Sequence, residues 1–161
     1  MSSRAWRQVV DRLSGEATRH GGEAIEDPDM ITLRPPQDSG ELVRVIRYTN
    51  ETGEDETVRV ETGFAYRLAL SLNGEDGPDR VCTTVVAILD GCATEVAEIA
   101  ADGTWLNTAC TVERPDGGRQ RRTQIAPAWH LKGVPVDHEH GRQIDPWPRP
   151  AGDETVPAQE G

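Results

Sequence analysis

Residues 57–72, TVRVETGFAYRLALSL, constrain the fold more than any other stretch, because they keep a period of two from end to end. Val58, Val60, Thr62, Phe64, Tyr66, Leu68, Leu70 and Leu72 alternate with Arg59, Glu61, Gly63, Ala65, Arg67, Ala69 and Ser71. This is the pattern of an extended chain with one face in a core and the other in water. The run exceeds the usual strand of about six residues, so Gly63 is expected to mark a bulge, a bend or a break between two strands.

Other strands follow from the same logic. Residues 41–49 (ELVRVIRYT) form a strand that reaches the long run through the polar turn NETGEDE. A short strand is expected at residues 30–33, ahead of Pro35-Pro36. Three apolar runs at 81–89 (VCTTVVAIL), 94–100 (TEVAEIA) and 105–113 (WLNTACTVE) read as strands separated by Gly- and Asp-rich turns. The last pairs with 119–126 (RQRRTQIA) across Pro115-Asp116-Gly117-Gly118. One segment departs from this period: Trp6, Val9, Val10, Leu13 and Ala17 line a single face of an amphipathic helix over residues 4–18, capped by Ser2 or Ser3 and ended by His20-Gly21-Gly22.

From Pro127 onward prolines recur, each removing a backbone donor, so no sheet or helix interior is expected there. The sequence thus predicts an α+β chain: an N-terminal helix packed on a curved antiparallel sheet of five to seven strands, followed by an extended proline-rich strap and a disordered tail. The domain is expected over 1–136, with strap and tail over 137–161. Trp129, Leu131, Val134, Val136, Ile144 and Trp147 are the side chains available to pin the strap to the body.

Composition narrows the function classes. A net charge of −11 in 161 residues gives a nucleic-acid backbone no counterion release to drive binding, and favours a basic protein partner. Acidic side chains concentrate in residues 21–80, whereas basic ones prevail in 113–133. Neither a secretory leader nor a membrane span is legible, and Cys82, Cys92 and Cys110 are odd in number and widely spaced. The expectation is a cytoplasmic protein with reduced thiols, Cys82 and Cys110 lying mid-strand as small hydrophobes.

Candidate chemistry is sparse. In VDHEH, residues 136–140, His138 and His140 have the i, i+2 spacing by which two imidazoles on an extended chain reach one zinc ion, with His130 or a cysteine as third ligand. Flanking Pro135 and Gly141, and the absence of a HExxH-type helix, favour a solvated loop instead, so no metal and no cofactor is expected. Arg44 shares a strand face with Leu42, Ile46 and Tyr48. An arginine in such a row either covers apolar surface with its stem or binds an anion in a concave pocket, where Tyr66 and His130 would join it and Tyr48.

The leading expectation is a non-catalytic interaction module of the immunity-protein, antitoxin, adaptor or chaperone type. Its contacts to a basic partner would be the turn residues Glu51, Glu54, Asp55 and Glu56, with Arg119, Arg121 and Arg122 as a second docking patch. The alternative is a ligand-binding or enzymatic domain with a pocket between helix and sheet. The edge at 119–126 also offers a route to a homodimer.

Overall fold

A computed structural model describes residues 3–36, 40–63, 66–113, 119–125 and 133–149, with backbone alone at Tyr66 and over 119–125. Among them lie two helices and nine strands, and the class is α+β. The order is α1 (Arg4–Arg19), β1 (Glu23–Asp27), β2 (Met30–Arg34), β3 (Val43–Thr49), β4 (Glu56–Thr62), β5 (Tyr66–Ser71), α2 (Gly77–Leu89), β6 (Ala93–Ile99), β7 (Trp105–Glu113), β8 (Arg119–Ile125) and β9 (His138–Gln143). Two antiparallel sheets result: β1-β2-β3-β4-β5 and β8-β7-β6-β9.

α1 forms where the periodicity placed it. The Ser3 hydroxyl accepts from the Trp6 amide at 3.0 Å and closes the first turn. At the other end the His20, Gly21 and Gly22 amides return to carbonyls of the last turn, with Gly21 at φ 83°, a conformation that favours glycine. Trp6, Val9, Val10, Leu13 and Ala17 are all buried. They face the inner row of the first sheet, Ile31 and Leu33 of β2, Val43 and Val45 of β3, Val58 and Val60 of β4, and Leu68 and Leu70 of β5. Each such aliphatic side chain taken from water contributes about 1.5–3 kcal/mol.

The long alternating run divides at Gly63 into β4 and β5, which pair from Thr57↔Ser71 to Thr62↔Tyr66. A Cβ at Gly63 would lie 2.5 Å from the Glu95 carboxylate and 2.7 Å from Ile144, so the break is also a point of contact between the sheets.

Two expectations are corrected. Residues 81–89 are not a strand but most of α2, with Pro78 in its first turn, where its missing N–H costs no helical bond. A nine-residue apolar run does not distinguish a buried strand from a buried helix, and this segment buries Val81, Cys82, Thr84, Val85, Ala87, Ile88 and Leu89, more than one strand face holds. Cys82 is accordingly helical, whereas Cys110 is mid-strand in β7. The single sheet of five to seven strands is instead a five-stranded sheet under α1 plus a second, four-stranded one.

The C-terminal stretch also differs. Residues 138–143 contain no proline and pair with β6 from Thr94↔Gln143 to Ile99↔His138. VDHEH therefore runs into an edge strand, and the folded body extends past residue 136. Beyond β9, Ile144 is fully buried and Trp147 is 4% exposed. The Trp147 indole N–H donates to the Glu41 carbonyl at 2.8 Å and its amide to the Leu89 carbonyl at 2.8 Å. Its ring lies so close to Gly22 and Gly40 that a Cβ at either would collide with it. Trp129, Leu131 and the expected tail beyond residue 149 lie outside the described residues.

Candidate interaction surface

One end of the first sheet gathers acidic side chains. Because β4 and β5 are antiparallel neighbours, the β3–β4 turn and the loop entering α2 emerge together. Asn73 ties them: its side-chain amide donates to Asp55 at 2.9 Å, and its carbonyl oxygen accepts from the Glu56 amide at 3.2 Å. Inside the turn, Asn50 donates to Asp55 at 3.2 Å and accepts from the Thr52 hydroxyl at 3.0 Å. Glu51 and Glu54 stand exposed on one loop, Glu75 and Asp76 on the other.

Glu56, expected among the contacts, is instead internal. It accepts from the Ser3 hydroxyl at 2.8 Å and pairs with Arg47 at 3.2 Å, its side chain only 12% exposed. Arg47 is also bound by Asp29, and these hydrogen bonds outweigh burial to raise its pKa above the ordinary arginine value. Asn73, Glu75 and Asp76 were missed by the sequence reading. The signal was present, since a break at Gly63 folds residues 55 and 73 to the same end of a hairpin.

Arg44 and Tyr48 lie on the outer face of the first sheet, opposite the helices. Val43 and Val45, on the opposite face of the strand, turn inward. They therefore cannot line a pocket between helix and sheet, where α1 already packs. On that outer face Arg59 stacks 5.1 Å over the Tyr48 ring and pairs with Glu61 at 2.6 Å, while Arg67 reaches Glu61 at 3.4 Å. Leu42, Arg44, Glu61 and Arg67 help to line an open hollow of about 150 Å³. Tyr66 belongs to β5 by its backbone, and His130 lies outside the described residues.

In the second sheet, Arg119, Arg121 and Arg122 sit on β8, opposite Glu113, Thr111 and Cys110. His138 and His140 are exposed on β9, with His138 paired to its neighbour Asp137 at 2.9 Å. Among the described residues no three or more His, Cys, Asp or Glu side chains gather as metal ligands. Among the described residues the most deeply set carboxyl group is that of Glu95, fully buried. Arg142 of β9 donates to it at 2.9 Å and to Glu41 at 2.7 Å. Burial works against the Arg142 charge, but these carboxylates outweigh it and keep its pKa raised.

Among the described residues no helix is long and apolar enough to cross a membrane. Comparison with known proteins finds no matching family, no matching curated protein and no matching solved structure.

Proposed function

We propose that this chain is a non-catalytic protein-interaction module of the cytoplasm, of the immunity-protein, antitoxin, adaptor or chaperone kind, that meets a basic partner through its acidic surface. The observation that carries the reading is the joining of two acidic loops by Asn73, which presents Glu51, Glu54, Glu75 and Asp76 together at one end of the sheet. Fixed carboxylates of one sign steer a cationic partner and hold it more strongly at low salt.

The test is capture of partners on the immobilised protein, followed by binding measurements with the purified partner. Reversal of Glu51, Glu54 and Glu75 to Lys is expected to weaken binding at least about tenfold at low salt, with a smaller loss at high salt. Unchanged affinity in the triple variant would remove this end of the molecule from the interface.

A further inference from the structure

β1 is the outer strand of the first sheet: β2 pairs with one side, and among the described residues no strand pairs with the other. The direction of its backbone groups follows from the hairpin. The two-residue turn Pro28-Asp29 makes Asp27↔Met30 a hydrogen-bonded pair, and alternation makes Ile25↔Thr32 and Glu23↔Arg34 bonded as well. The far side of β2 agrees, since the Arg47 amide donates to the Asp29 carbonyl at 2.8 Å, one step before Met30↔Ile46. Ala24 and Glu26 are therefore the residues whose N–H and C=O point out along the edge.

The chain itself shows how such an edge is filled. α2 ends as α1 does: the Asp90, Gly91 and Cys92 amides return to Val86, Ile88 and Ala87, matching those of His20, Gly21 and Gly22, and both central glycines have φ 83°. Each helix then leads into an antiparallel meander, β1-β2-β3 in one case and β6-β7-β8 in the other. The outer side of β6 is taken by β9, which brings Arg142 to Glu95. β1 holds the corresponding place in the first sheet, and among the described residues no strand takes its outer side.

Charge selects the occupant. Glu23 and Glu26 are paired from within by Arg34 and Arg7, yet remain 59% and 48% exposed, and Asp27 has no partner among the described residues. Twofold pairing of β1 with a second copy of itself over its full length, centred on Ile25, would set Glu23 opposite Asp27 twice, and like charges directly opposite destabilise a sheet. We propose that the β1 edge captures an extended, basic segment of the partner as an added antiparallel strand. This rests on the reading that the partner is basic, and adds main-chain pairing to surface attraction.

The probe is a short synthetic peptide of alternating Lys and Val, followed by backbone-amide NMR and hydrogen exchange on the full chain. At saturation the Ala24 and Glu26 amides are expected to exchange at least about tenfold more slowly. Glu26→Pro, which removes an outward donor and no ladder bond, should abolish that binding, whereas Glu26→Ala should retain it. A peptide of equal charge with every Val replaced by Pro should give no protection, which keeps the test decisive should Glu26→Pro not fold. Unchanged exchange at Ala24 and Glu26 overturns strand addition, as does equal binding of the proline-containing peptide. If shifts then persist around Glu51, Glu54 and Glu75, the acidic-surface reading stands alone. A spectrum unmoved by either peptide at low salt overturns both.

Discussion

Cys82 is 1% exposed, and burial pushes its thiol pKa up to about 11 from the ordinary 9.0. The neutral thiol is the form the folded chain tolerates, so the sign of the linkage is fixed. Stability from this residue is fully present below pH 9 and is lost as pH rises toward 11, because the unfolded chain ionises first. The loss is on the order of 2–3 kcal/mol. It should appear as a falling urea midpoint in wild type over that window, relative to Cys82→Ala. At neutral pH the exposed Cys92 should react with a thiol reagent while Cys82 stays silent until the chain unfolds. Glu95 shows a different arrangement, a fully buried carboxyl group paired with an arginine. Among the described residues, Arg142 of β9 brings a guanidinium to it at 2.9 Å, which ties the edge strand to the carboxylate.

At the scale of elements, α1 depends on a cap with two duties. The Ser3 hydroxyl accepts from Trp6 and donates to Glu56, linking the start of the helix to the start of β4. Ser3→Ala should therefore cost about 1–2 kcal/mol in equilibrium unfolding, the upper range for a cap, while Ser3→Thr should recover most of it. α1, β2, β3, β4, β5, β6, β7 and β8 were legible because each carries a period, a cap or a turn that acts locally. α2 was not, since its two ends, Gly77-Pro78 and Asp90-Gly91, are also good turn chemistry and its apolar run hides the helical face. β1 and β9 were missed for another reason. EAIED and HEHGRQ have no apolar alternation, and such edge strands exist only because a neighbour offers its free backbone groups. The exposure of Glu51 and Glu54 was legible from their polar turn, whereas the internal position of Glu56 depends on Ser3 and Arg47, which are distant in the chain.

For the molecule as a whole, Trp147 is the element that joins separately built parts. Its amide and indole bond to the end of α2 and to the segment before β3, its ring meets His20 edge-on at 6.3 Å, and Gly22 and Gly40 have no side chain so that it fits. Trp147→Ala should cost about 3–5 kcal/mol and lower the urea midpoint without changing helix content before the transition. The indole and its acceptor at Glu41 are 106 positions apart. A ribosome delivers the slot between Gly22 and Gly40 long before it delivers the ring that fills it. The last step of folding must then wait for nearly the whole described chain to emerge, and in that interval the half-made core is exposed to whatever else in the cell binds apolar surface.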